Sequence, residues 1–171
     1  MNYEEITKKI TLIGLTGQSG AGKTTVSDTF KEEGIPVINA DFVAREVVKP
    51  KSPCLNDVIR AFGNEYLLPN GNLNRKMLAN TVFTSKTKLS LLNSIMYPYI
   101  TREILGIADE YSKGGEKIVI VDAPTLFESG IDKYCKKIIS VISDINVRLK
   151  RIIKRDNITG RSNGKNKQPV S

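Results

Sequence analysis

Gly17-Gln18-Ser19-Gly20-Ala21-Gly22-Lys23-Thr24 decides how this chain is read. It fits G-x-x-x-x-G-K-[ST], the phosphate-binding loop. Ile10 to Leu15 runs into the loop as a buried apolar strand, and Thr25 to Glu33 leaves it as a helix with Val26 and Phe30 on one face. The chemistry needs this order. Glycines let the backbone curl around a phosphate so that successive N–H groups point inward. The helix N-terminus adds roughly half a positive charge at the same place. Lys23 can neutralise the outer phosphate oxygens, and the Thr24 hydroxyl can take a Mg²⁺ ion. Gly17, Ser19, Gly20, Ala21, Gly22, Lys23, Thr24 and Thr25 are therefore the candidate nucleotide-binding residues.

The flanking sequence extends the pattern. Gly34 is placed to end the first helix. Pro36 to Asp41 reads as a second strand ending in a carboxylate, and ligands of open α/β sheets bind at the carboxyl ends of strands. Short helical segments follow, punctuated by Pro50, Pro53, Gly63 and the Pro69–Asn72 turn. Leu55, Val58, Ile59 and Phe62 mark an amphipathic helix, and Asn72 or Asn74 can cap the next. A long helical stretch from about Lys86 to Ser112 carries two apolar stripes and is expected to kink or break at Pro98. Lys117 to Asp122 is a β-branched run ending in Asp, as a central parallel strand reads. Lys137 to Ile142 gives a fourth strand. Asp144 can cap a last helix whose apolar face is Ile145, Leu149, Ile152 and Ile153. Four strands alternating with helices imply an α/β fold with a parallel sheet covered on both faces.

Length and composition set bounds. The 171 residues suggest one domain. There is no histidine and no tryptophan, which excludes imidazole catalysis and His-ligated metals. Cys54 and Cys135 have no metal-binding spacing and read as two reduced thiols. The start carries no apolar leader and no run reaches membrane-spanning length, so a soluble cytoplasmic protein without a membrane partner is expected. The net charge of +8 lies entirely in the last fifth: residues 136–171 hold 10 basic and 2 acidic side chains, against 16 of each before them. A basic block of this kind is either a nucleic-acid tail or a positive cover for a phosphorylated ligand. The phosphate loop favours the cover, and nucleic acid is not the expected partner.

Four further features carry chemistry. Asp41 can accept the proton of an attacking hydroxyl, or cap a helix beginning at Phe42. Asp122, ending an apolar strand, stands where a carboxylate holds Mg²⁺, or is a turn residue. Arg148, Arg151 and Arg155 share one helical face, which is either a phosphoryl-binding lid or a solvated surface. Glu128 contacts substrate or metal, or caps.

These segments together resemble the dephospho-CoA kinase family: Gly14-Leu15-Thr16-Gly17 leading into the loop, Val37 to Asp41 with Ala44-Arg45, Asp122-Ala123-Pro124-Thr125-Leu126-Phe127-Glu128, and Leu149-Lys150-Arg151 with Arg155-Asp156. The likeness spans about residues 10–159. It implies a P-loop three-layer α/β/α sandwich with a helical CoA-binding insertion (about 42–112) and a lid (about 144–159). The implied reaction moves the ATP γ-phosphate to the ribose 3′-hydroxyl of dephospho-CoA, with ATP and Mg²⁺ required. By the same likeness Asp41 is the base, Lys23, Arg151 and Arg155 serve catalysis, Thr24 and Asp122 hold metal, and Arg45, Tyr97 and Glu128 belong with Asp41 on the acceptor side. Asn39 stands where the family has Asp, and Tyr97 where it has His before proline. Beyond the lid the chain has only an irregular tail, residues 160–171. The sequence therefore reads as truncated or frame-shifted, with the fold kept and catalysis weakened. A monomer is expected. The competing readings are another small-molecule kinase, such as a nucleoside monophosphate kinase, and a non-catalytic nucleotide-binding remnant with a basic RNA-binding end. A GTPase is not the expected reading, because Asn166-Lys167-Gln168-Pro169 has Pro where the guanine reader needs Asp and follows no strand.

Overall fold

The computed structural model describes residues 3–155. The expected tail, and the part of the lid region beyond Arg155, lie outside them. Eleven principal elements follow in order: α1 (Tyr3–Lys9), β1 (Thr11–Gly17), α2 (Lys23–Glu32), β2 (Val37–Asn39), α3 (Ala40–Glu46), α4 (Pro53–Phe62), α5 (Arg75–Phe83), α6 (Lys86–Lys113), β3 (Ile118–Asp122), β4 (Lys137–Val141) and α7 (Ile145–Arg155). The strands form one parallel sheet in the order β2-β3-β1-β4. The order reverses around β1, so the crevice at its carboxyl end opens onto the phosphate loop.

Alternation along the strands builds two buried faces. Leu12 pairs with Val119 and Gly14 with Val121, and these face the main core with Ile38, Ile6 of α1 and Ile104, Leu105 and Ala108 of α6. Leu15 and Ile120 are buried on the opposite face, where α2 lies across β1, β2 and β3. Gly14 is required by a close approach: a β-carbon there would stand 2.7 Å from Leu126 Cδ2. Leu126, fully buried, thus docks the loop after β3 directly onto β1.

A second apolar cluster holds Leu55 and Val58 of α4, Leu78 and Val82 of α5, and Tyr66. The first half of α6 packs on it through Leu89, Leu92 and Ile95, and the second half packs on the main core. Pro98 sits at the changeover. Of the expected kink or break, the break does not occur; α6 is one helix through Pro98. Packing on both sides of the proline offsets the lost hydrogen bond, whose cost is about 3 kcal/mol. Ser52, Asn74 and Ser85 cap α4, α5 and α6 through their side chains. Helix α1 was not foreseen; it is short, and only Ile6 within it is buried.

Two other expectations are corrected. The second strand ends at Asn39, not Asp41. Asn39 Oδ1 accepts the Phe42 N–H at 2.8 Å and starts α3, so Asp41 sits in the first helical turn. The cap bond outcompetes strand pairing because Asn39 is the last residue of β2 in register with β3. Replacing Asn39 by Ala is expected to cost about 1 kcal/mol, measured by urea unfolding. Asn39→Asp keeps the acceptor and should leave stability within a few tenths of that of the parent.

The second correction concerns α7. Asp144 caps it as expected, accepting from Asn146 N, but its aliphatic side chains do not form a core-facing stripe. Ile145, Leu149 and Ile153 are exposed, and the helix turns Arg148 and Arg151 to the phosphate loop instead. No helix among the described residues is long and apolar enough to cross a membrane.

Candidate active site

The loop between β1 and α2 forms one wall of a cavity of about 430 Å³, and Lys23, Thr24, Asp41, Pro124 and Arg151 complete it. Gly20 and Gly22 take left-handed backbone angles, φ 77° and 103°. Such turns let a backbone curl around an anion, and the first residues of α2, Lys23 and Thr24, line the same cavity. Lys23 Nζ donates to Asp122 Oδ1 across 99 residues of sequence. Asp122 ends β3 and is almost wholly buried. The ion pair therefore joins the loop to the strand beside β1. Thr16 Oγ1 donates to Pro124 O at 3.3 Å and Ala123 N to Leu15 O at 3.0 Å, which fixes the loop after β3 against the same strand.

Helix α7 lies on the outside of the loop. Arg148 Nε donates to Ser19 O at 3.1 Å, and Arg151 Nη1 donates to Gly20 O and Ala21 O, both at 3.2 Å. A β-carbon on Gly20 would stand 2.8 Å from Arg148 O and 3.1 Å from Ile152 Cγ1. The helix backbone would have to retreat. Gly20→Ala is therefore expected to lift α7 from the loop, weaken ATP binding about tenfold, given the roughly 1–2 kcal/mol cost of a left-handed alanine, and speed amide hydrogen exchange in α7.

Two further cavities adjoin the cradle. One, about 180 Å³, shares Asp41 with it and is walled by Ala44, Met96, Tyr97, Ile100 and Thr125. The other, about 440 Å³, shares Gly17, Gln18 and Pro124 and extends along Phe127, Val141 and Arg148. Asp41 thus stands exposed between the phosphate cradle and the smaller cavity.

Of the residues named from the sequence, the fold brings Gly17, Ser19, Gly20, Gly22, Lys23, Thr24, Asp41 and Arg151 around one space, with Ala21 buried behind the loop and Asp122 reaching Lys23. Thr25 is exposed on α2. Tyr97 lines the smaller cavity; burial, then the nearby Glu128 carboxylate, raises its phenol above the usual range, while a hydrogen bond to Thr125 acts the other way. Glu128 is exposed beside it. Arg45, one turn on from Asp41, lines none of the three cavities; its backbone carbonyl accepts from Arg75 Nη2 at 2.9 Å. Arg155 ends α7, and its side chain lies outside the described residues. Arg148, read from the sequence as part of a basic helical face, meets the loop, whereas Asn93 in the smaller cavity carried no sequence signal. The two thiols are free; burial pushes both up to about 11.

Fold and site together define a P-loop kinase class: a phosphate cradle at the centre of a parallel sheet, with a carboxylate at the mouth of an adjoining cavity. The sequence model of dephospho-CoA kinase matches residues 11–166. A dephospho-CoA kinase of Fusobacterium nucleatum is 45% identical over 87% of this chain and 75% of its own length. One of Arabidopsis thaliana is 43% identical over 86% of this chain and 64% of its own length. Among solved structures, TT1252 from Thermus thermophilus superposes with a TM-score of 0.73 at 27% identity, over 88% of this chain and 74% of that one. The chain belongs to the dephospho-CoA kinase family, transferases of the final step of CoA biosynthesis that use ATP. It spans about two thirds to three quarters of the length of these relatives.

Proposed function

We propose that this chain binds ATP in the cradle and transfers its γ-phosphate to the 3′-hydroxyl of dephospho-CoA, with Asp41 as the base. The observation that carries this reading is the position of Asp41, which lines both the phosphate cradle and the smaller cavity. An acceptor hydroxyl held in the small cavity meets the terminal phosphate only past this carboxylate. The proton of the hydroxyl passes to Asp41, the acceptor oxygen bonds to the γ-phosphorus, and the bond from that phosphorus to the β–γ bridging oxygen breaks, releasing ADP. Lys23 offsets charge on the phosphate oxygens, and the loop N–H groups and the α2 N-terminus hold them in line. Arg151, clamped on Gly20 and Ala21, places a guanidinium at the edge of the same cradle. The cavity along Val141 and Arg148 is left for the nucleoside of ATP.

The donors present suit Mg²⁺. Thr24 offers a hydroxyl in the cradle and Asp122 a carboxylate behind it, both hard oxygen ligands. Mg²⁺ keeps several waters and takes one or two carboxylates plus substrate phosphates. Bound there, the ion would neutralise developing phosphate charge.

The residues of the basic end that are described contact the phosphate loop through Arg148 and Arg151, which favours a cover over an RNA site. The deciding measurement is ADP release in the presence of ATP and Mg²⁺. Release that rises on adding dephospho-CoA, and not on adding nucleoside monophosphates, supports the reading. Binding of ATP with no release for any acceptor would sink it.

A further inference from the structure

We infer that the groove between α4 and α6, on the far side of α6 from Asp41, binds an amphipathic carboxylate, a small organic acid with an apolar body. The inference goes beyond the kinase reading and does not depend on it. The groove encloses about 590 Å³, within the range of small-molecule sites. One wall is Asp57, Arg60 and Ala61, at i, i+3 and i+4 of α4, and the other is a strip of α6 that runs through Pro98 and Tyr99 to Arg102. Met96, Tyr97 and Ile100, which line the small cavity beside Asp41, lie on the opposite side of α6. The groove shares no lining residue with the phosphate cradle or with the two cavities that adjoin it.

Its charges suit an anion. Asp57 is already satisfied: Oδ2 accepts from the Tyr99 hydroxyl at 2.5 Å, and Oδ1 accepts from Arg60 Nη1 at 3.0 Å. The first bond ties α4 to α6, and the second orients Arg60, which keeps further N–H donors for a ligand. Arg102 lines the other wall and forms no hydrogen bond or ion pair with another described residue. Two guanidiniums against one carboxylate leave one net positive charge on the groove. That balances a monoanion, not the two charges of a phosphate monoester. The planar fork of arginine also matches a carboxylate in two-point hydrogen bonding. Ala61, Pro98 and the half-buried Ile95 make the rest of the lining mainly apolar. They give the body of the acid a surface that a bare inorganic anion would not use.

The test is a titration of the whole chain with sodium hexanoate, followed by backbone amide chemical shifts. Hexanamide serves as the uncharged control, and inorganic phosphate as the anion without an apolar body. Hexanoate is expected to shift residues of α4 and the middle of α6 saturably, with a Kd on the order of a millimolar for so small a ligand. Hexanamide and phosphate should each bind at least about tenfold more weakly. Arg102→Gln should weaken hexanoate by roughly tenfold or more, the loss of one charge-assisted hydrogen bond. Its unfolding midpoint should not move, because Arg102 is exposed. Shifts that do not saturate, or that scatter away from α4 and α6, overturn the site. Hexanamide or phosphate binding as tightly as hexanoate overturns it too, as does parent affinity in Arg102→Gln. Saturating dephospho-CoA should leave the hexanoate Kd unchanged. Displacement of hexanoate would make the groove part of the acceptor site and overturn a separate one, while leaving the kinase reading intact.

Discussion

Asp41→Ala is expected to lower turnover with dephospho-CoA by roughly 10²- to 10⁴-fold, the usual contribution of a positioned base, and to leave ATP binding near that of the parent. Asp41 is exposed in the first turn of α3, so its removal creates no core cavity and leaves the cap of the helix, which Asn39 supplies, in place. The loss should therefore fall on kcat, with little change in the unfolding midpoint. A coupled ADP-release assay and an ATP titration on the same preparation check this. Turnover within threefold of the parent would remove Asp41 from the mechanism. Asp41→Asn tests the proton directly, since it keeps size and hydrogen bonding but cannot accept a proton.

Lys23→Met should damage both activity and folding, for separable reasons. Catalysis loses the cation at the transferring phosphate, worth about 10²–10³-fold by analogy with other preorganised charge-stabilising groups. Stability suffers because Asp122, its side chain 5% exposed, is left without its partner. An unpaired buried charge costs about 3–5 kcal/mol, nearer the lower figure here because the Lys23 side chain keeps 16% exposure and water can reach the gap. The double variant Lys23→Met/Asp122→Asn removes both charges. It should recover most of the unfolding free energy in urea and none of the activity. Recovery of activity in the double variant would show that Lys23 acts only as a structural partner. Equal stability of Lys23→Met and wild type would show that the ion pair contributes nothing net.

The legible parts of the fold were those set by neighbours in sequence. The glycine loop between an apolar strand and a helix, the β-branched run Ile118–Val121, the Asp144 cap and the Gly34 helix end all follow from local rules, and the structure places them so. The errors arose where a local rule met a long-range contact. Pro98 predicts a kink or a break, and α6 runs on unbroken because two different apolar clusters hold it on either side. The aliphatic residues of α7 mark an apolar face, but Ile145, Leu149 and Ile153 are exposed, while Arg148 and Arg151 donate to the carbonyls of Ser19, Gly20 and Ala21. Asp41 reads as a strand end because nothing in Val37 to Asp41 announces that the Asn39 side chain will close the turn first.

The chain's own order of residues was enough to indicate the parallel α/β architecture and the glycine loop, because each rests on short-range chemistry: glycine conformations, apolar period and a helix N-terminus next to a lysine; the family was legible only as a resemblance of whole motifs to known sequences. Only the tertiary structure decided which distant groups meet. Lys23 finds Asp122 99 residues away, and Arg151 finds Gly20 131 residues away. Asn93 joins Asp41 in one cavity because α3 and α6 pack across the end of the sheet. No periodicity encodes such pairings. They are set by how β1, β3 and β4 register and by which side chains the two cores bury, and those are properties of the folded chain as a whole.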